Sequence, residues 1–180
     1  MPLLPRTLRL DPSDSVVFER AAAPGEWAVP GGFAFWDEAP EEMSGKRRQA
    51  FRAGFLGLAS FGWSTLVEVA EADPLAREGV VGALAAHLVE AFGAPDAATA
   101  RPAAEEEIAF AESLCEGYEP GTVLALSRSI EDGRVRERFR TLHRRETPHH
   151  DFGRLPVFGI VQVDGEEEPV ERPDLTRLSR

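Results

Sequence analysis

Two segments in the middle of the chain carry a helical pattern of apolar residues. In the first, Asp73 is a suitable N-cap, Pro74 suits the first helical position, and Gly93 suits the left-handed position after the last turn. The apolar residues between them recur at helical spacing and form one stripe, which consists of Val80, Val81, Leu84, Leu88 and Phe92. The pattern predicts a helix whose stripe is covered by a sheet.

A second helix is predicted from about Pro102 to Glu116. Glu105, Glu106 and Glu107 then fall in its first turns, where negative charge interacts favourably with the helix dipole. Gly117 follows its last turn. Its inward stripe consists of Ile108, Ala111, Leu114 and Cys115.

A β-hairpin is predicted after the second helix, with strands at Thr122–Glu131 and Arg134–His143. Asp132-Gly133 between them is a residue pair that favours a type I′ turn, and this turn fixes the register. The facing pairs on one side are Ile130 with Val135, Arg128 with Glu137, Leu126 with Phe139, and Leu124 with Thr141. This side is apolar apart from one ion pair, so we expect it to face the helices.

The opposite side of the hairpin carries a row of four arginines. They are the alternate residues Arg134, Arg136, Arg138 and Arg140, named here the arginine row, and they lie beside Val123, Ala125, Ser127 and Ser129. Alternate residues of a strand point to the same face, so the four guanidinium groups are expected to line up.

Shorter patterns predict the remaining elements. They are an N-terminal hairpin (Thr7–Leu10 and Val16–Glu19), a bent strand region (Trp27–Trp36), a short helix (Ser44–Phe51), two strands within Phe55–Val69 and a last strand (Val157–Val163). These elements favour an α+β class, with two layers in which two principal helices pack on one face of a mainly antiparallel sheet. We expect a single domain over 1–163, followed by a charged C-terminal tail or arm over 164–180.

Composition and charge narrow the class of protein. The chain has 180 residues, 43% of them hydrophobic and 28% charged, which is typical of one globular domain. A formal net charge of −11 opposes binding to nucleic acid or to anionic membranes. No apolar run is long enough for a membrane span, the N-terminus lacks the apolar core of a signal peptide, and one cysteine permits no internal disulfide. We therefore expect a cytoplasmic protein.

The arginine row is the first candidate binding site. Guanidinium forks bind carboxylate or phosphate by two parallel hydrogen bonds, so the row suits an acidic partner or a small anion. The alternative is a solvated face that protects a strand edge, or one neutralised within the chain by Glu41, Glu42 or Glu166–Glu168.

Other candidate chemistry is weaker. Trp63 and Phe61 are placed either on the floor of a small apolar binding pocket or in the core. The residues His143, His149, His150 and Asp151 are of metal-ligand type but have the spacing of a surface loop, and Cys115 on an apolar stripe favours a core role. No nucleophile elbow or phosphate-binding loop is present, so no catalytic residue, metal or cofactor is predicted.

Four stretches carry a family resemblance: Lys46–Gly57, Ser60–Thr65, Glu105–Cys115 and Arg136–Arg145. Over about Leu8–Arg145 the chain resembles an alphaproteobacterial family of conserved hypothetical proteins that is catalogued as a domain of unknown function. The resemblance implies a bacterial cytoplasmic protein and assigns no activity.

Two hypotheses follow. The first is a non-catalytic binding or accessory protein that uses the arginine row, with a homo-oligomer left open. The second is a small enzyme with a pocket near Trp63 and His143.

Overall fold

The computed structural model of the chain describes residues 1–144 and 161–164. Its larger sheet has five strands in the order β1-β5-β6-β7-β8, and neighbouring strands are antiparallel. These strands are β1 (Leu3–Leu8), β5 (Leu66–Glu71), β6 (Val123–Glu131), β7 (Arg134–Arg144) and β8 (Val161–Asp164). A smaller antiparallel sheet contains β2 (Ala28–Val29), β3 (Phe55–Gly57) and β4 (Trp63–Ser64). The helices are α1 (Ser13–Val17), a 3-10 turn (Gly32–Phe35), α2 (Gly45–Ala53), α3 (Pro74–Phe92) and α4 (Ala97–Cys115). The predicted α+β class is confirmed.

The ends of α3 are those that the sequence predicts. The Asp73 carboxylate accepts a hydrogen bond from the Ala76 N–H at 2.7 Å, Pro74 opens the helix, and Gly93 has a φ of 74°. The stripe of α3 is covered mainly by α4, and Phe33 contacts Phe92 edge-on with ring centroids 5.4 Å apart. A helix, more than the sheet, therefore buries this stripe, while α4 packs on β1 and β2 and α2 packs on β6.

The start of α4 differs from the prediction. The helix begins at Ala97, because the Asp96 carboxylate accepts from the Thr99 N–H at 2.7 Å and caps the first turn. Pro102 consequently lies inside the helix, where it has no N–H to donate to the carbonyl one turn before.

The predicted N-terminal hairpin is wrong. The chain pairs β1 with the distant β5, in the register Leu3 with Glu71 through Leu8 with Leu66, and residues 13–17 form the short helix α1. The buried carboxylate of Asp14 accepts from the Thr65 hydroxyl at 2.6 Å and so ties α1 to the junction between β4 and β5. The segment 27–36 also differs, since only Ala28 and Val29 form a strand before the 3-10 turn.

The hairpin of β6 and β7 has the predicted register. All four predicted facing pairs are present, and Asp132 and Gly133 have φ values of 52° and 72°, as a type I′ turn requires. Its inner face contributes Leu124 and Leu126 to a core cluster with Val67, Val69, Ala28, Phe55 and Cys115. The outer face carries the arginine row.

β8 overlaps the predicted strand Val157–Val163 at residues 161–163, whereas 157–160 and most of the predicted tail lie outside the described residues.

None of the helices within residues 1–144 combines the length and the apolar composition that a membrane span requires.

Candidate functional site

The arginine row lies on the outer face of β7, and all four side chains are exposed. In the β6–β7 register, Arg134 is opposite Glu131, Arg136 opposite Ser129, Arg138 opposite Ser127, and Arg140 opposite Ala125. Alternate residues of a strand are about 7 Å apart, so the four Cα atoms span about 20 Å. β8 pairs with β7 at Thr141–Arg144, beyond the row.

One carboxylate neutralises part of this face. Glu131 forms salt bridges with Arg136 through Oε2 at 3.2 Å and with Arg138 through Oε1 at 2.8 Å. Arg134 and Arg140 form no salt bridge with the described side chains. Counted over the described side chains alone, four guanidinium groups and one carboxylate give this hairpin face a formal surplus of three positive charges. The partner is thus Glu131 and not Glu41 or Glu42, and Glu166–Glu168 lie outside the described residues.

Arg128, on the opposite face of β6, is fully buried and holds the hairpin to the rest of the fold. Its Nε donates to Glu137 Oε1 at 2.7 Å, as the sequence predicts. Its Nη1 donates to the carbonyl oxygens of Phe51 at 3.1 Å and Gly54 at 3.0 Å, and its Nη2 donates to that of Pro30. Burial lowers the pKa of Arg128, while the hydrogen bond that it donates to Glu137 opposes this shift.

Glu107 extends this buried polar cluster from α4. Its carboxylate accepts from the Gly31 N–H at 3.0 Å. Burial raises the pKa of Glu107, the hydrogen bond from Gly31 lowers it, the charge of Glu137 raises it and that of Arg128 lowers it. The cluster therefore joins α4, the loop at 30–32 and the hairpin.

The sequence interpretation missed Glu107 by treating the three glutamates at 105–107 as ordinary first-turn charges. The spacing of Glu107 indicates an inward-facing position, because Glu107 lies three residues after Ala104 and four before Ala111, which are both fully buried.

Trp63 lies in the core, away from the arginine row. It is 6% exposed and stacks on Phe35 with ring centroids 5.1 Å apart. A Cβ at Gly54 would come within 2.8 Å of its ring, so the backbone approaches the indole closely. Phe61 stacks on His87 of α3 at 3.6 Å. Trp63 thus packs on Phe35 in the core, and Phe61 packs on α3.

The remaining candidate chemistry is limited. Burial raises the pKa of Cys115 to about 12, and Glu112 adds to the shift, so its thiol stays protonated at neutral pH. No group of three or more His, Cys, Asp and Glu side chains within the described part of the chain could hold a metal ion. His149, His150 and Asp151 lie outside that part, and only the backbone of His143 in β7 is described.

Comparison with known proteins gives one match. Residues 1–157 match the family of unknown function DUF6505, whose description names no activity. The match agrees with the resemblance to a family of unknown function and extends beyond it at both ends. No curated protein and no solved structure matches the chain significantly.

Proposed function

The chain belongs to the family of unknown function DUF6505, and we propose that it is a non-catalytic binding protein. The arginine row is its binding surface, and an acidic protein partner or a small anion is its ligand. The observation that carries the proposal is the exposure of four arginines on one strand, with Glu131 as the one carboxylate that pairs with them in the described chain.

The chemistry of the row suits carboxylates or phosphates. Each guanidinium presents donors in a planar fork that matches two oxygens of one such group. Glu131 engages Arg136 and Arg138, whose side chains nevertheless remain 59% and 53% exposed. A pair this exposed contributes about 1 kcal/mol or less, so a ligand carboxylate can replace Glu131 at little cost.

The distribution of charge also supports an anionic ligand. The whole chain carries a formal charge of −11, whereas the described side chains of this hairpin face carry a surplus of three positive charges. A positive patch on an acidic body orients an approaching acidic partner and raises its association rate, an effect that salt weakens.

The row is held in place before any ligand binds. The hairpin register fixes the spacing of its arginines, and Arg128 ties β6 to the carbonyl oxygens of Pro30, Phe51 and Gly54. A preorganised surface loses less conformational entropy on binding. We further propose a bacterial cytoplasmic location, in line with the family resemblance and with a single cysteine that permits no internal disulfide.

Affinity capture from a lysate of the cells that express the protein tests the proposal. The bait variants are wild type, Arg136→Glu/Arg138→Glu, and a matched control, Arg48→Glu/Arg52→Glu, which changes the charge equally at two exposed positions of α2. Mass spectrometry of the recovered material should identify an acidic protein or an anion that wild type and control retain and the hairpin variant loses. Equal retention by all three variants would assign binding to another surface.

A further inference from the structure

A cleft of about 610 Å³ opens near the tip of the hairpin, on the face opposite the arginine row. It lies between the hairpin on one side and the 3-10 turn, the following loop and α2 on the other. Its volume is within the range of small-molecule sites in proteins. The arginine row does not line it, so it is a separate feature of the molecule.

Among the described residues that line the cleft, the charged ones are all acidic. They are Glu38, Glu41 and Glu137. Arg47 pairs with Glu38 and Arg128 pairs with Glu137, and neither arginine lines the cleft, while Glu41 forms no salt bridge with any described side chain. Glu137 accepts from Arg128 through Oε1, and its Oε2 accepts from no described donor. The cleft therefore offers several carboxylate acceptors to a ligand, together with the negative charge of Glu41, which no described cation pairs with.

The apolar part of the lining is unusually open to solvent. Trp36 is 71% exposed and Val135 54% exposed, and both line the cleft, with the buried rings of Phe35 and Phe51 beneath. An exposed indole beside carboxylates suits a cation that lies over its face, and the valine suits an aliphatic stem. Carboxylate acceptors and an aromatic wall in one concave site favour an organic cation over an anion or a neutral ligand.

We propose that this cleft binds a small organic cation, an alkylamine or alkylguanidinium, whose head group is held by Glu137 and Glu41 and whose stem lies against Trp36 and Val135. A small molecule is the proposed occupant because a volume of about 610 Å³ suits one small ligand. This proposal does not depend on the function proposed for the arginine row, since different residues on the other face of the hairpin carry it.

Isothermal titration calorimetry on the full chain tests the proposal. The probes are 1,4-diaminobutane and n-butylguanidinium. Glutarate is the anionic control and n-butanol the neutral control. A tetrapeptide of lysine and arginine represents the alternative ligand, a basic segment of a partner protein. We expect saturable binding of the two small cations at one site, and no saturable binding of glutarate or butanol.

Two matched variants locate the site. Trp36→Ala/Glu41→Gln removes an exposed indole and one charge at the cleft, and Tyr118→Ala/Glu116→Gln makes the equivalent change at exposed positions elsewhere. The first should weaken cation binding about tenfold or more, equivalent to about 1.4 kcal/mol, and the second should leave it unchanged. Arg136→Glu/Arg138→Glu should also leave it unchanged. Absence of saturable cation binding, equal affinity in the two matched variants, or binding of the tetrapeptide alone would overturn the proposal.

Discussion

At the scale of single residues, Arg128 anchors the hairpin, because its fully buried guanidinium donates to three backbone carbonyls and one carboxylate. Its pairing with Glu137 was predictable from the hairpin register alone. The three carbonyl oxygens were not predictable, because Pro30, Phe51 and Gly54 are 74 to 98 residues away along the chain. The sequence pattern of one strand pair carries no information on such distant contacts.

We expect Arg128→Met to destabilise the fold by about 3–5 kcal/mol, since it leaves buried carbonyls without donors and Glu137 without its cation. Arg138→Met removes an exposed arginine that pairs with Glu131, and should cost about 1 kcal/mol or less. Urea unfolding followed by circular dichroism measures both values. Similar losses of stability in the two variants would contradict the anchoring role of Arg128.

Glu107 makes stability depend on pH. Burial raises its pKa in the folded state, so the folded chain binds this proton more tightly than the unfolded chain does. The folded state therefore loses stability as pH rises through the folded pKa of Glu107. Glu107→Gln keeps an oxygen that can accept from the Gly31 N–H but carries no charge.

The variant Glu107→Gln should accordingly unfold at a higher urea concentration than wild type at pH 7. This gain in stability should shrink to near zero at a pH below the pKa of glutamate in the unfolded chain, which is about 4. The control Glu106→Gln removes an equal charge at an exposed position of the same helix. A gain in Glu107→Gln that equals the control, or that grows on acidification, would show that burial of this carboxylate is not the cause.

At the scale of elements, local signals predicted local structure. The caps of α3 and the turn of the hairpin depend on residues that are neighbours in sequence, and both are present as predicted. The pairing of β1 with β5 joins residues about 60 apart, and no local pattern specifies it. Because Thr7–Leu10 and Val16–Glu19 are close together in the sequence, their pattern favoured a hairpin. In the structure β1 pairs with the distant β5 instead.

Pro102 tests where α4 begins. If the helix starts at Ala97, Pro102 interrupts its hydrogen bonding, and Pro102→Ala should stabilise the protein by about 1–3 kcal/mol. If the helix started at Pro102, proline would occupy a favourable first position and the substitution would give no gain. Thermal unfolding compared with the loop variant Pro95→Ala measures the difference. Loss of stability in Pro102→Ala would contradict the earlier start.

The turn at Asp132-Gly133 tests the hairpin. Gly133 has a φ of 72° and open space around its Cβ position, so Gly133→Ala changes only the backbone preference. We expect it to destabilise by about 1 kcal/mol. Gly82→Ala in α3, also in open space, should instead stabilise by about 0.5–1 kcal/mol. Chemical denaturation of both variants measures the two changes in the free energy of unfolding, which should have opposite signs. A stabilising effect of Gly133→Ala would contradict the left-handed turn.

At the scale of the whole molecule, composition and pattern predicted the α+β class, because both the helical and the strand periodicities are strong. They also predicted which hairpin face carries the arginine row. They did not predict that Glu131 pairs with two of its arginines, or that an acidic cleft lies on the opposite face. Those features depend on rotamers and on the packing of distant loops, which leave no periodic signal in the sequence.

Titration of a rhodamine-labelled hexaglutamate peptide, followed by fluorescence polarisation, tests the binding role of the arginine row most directly. We predict that wild type binds the peptide with an affinity that falls as salt is raised. Arg136→Glu/Arg138→Glu should bind at least about tenfold more weakly. The matched variant Arg48→Glu/Arg52→Glu should stay close to wild type. Absence of binding to wild type, an affinity that is independent of salt, or equal losses of affinity in the two variants would contradict the binding role of the arginine row.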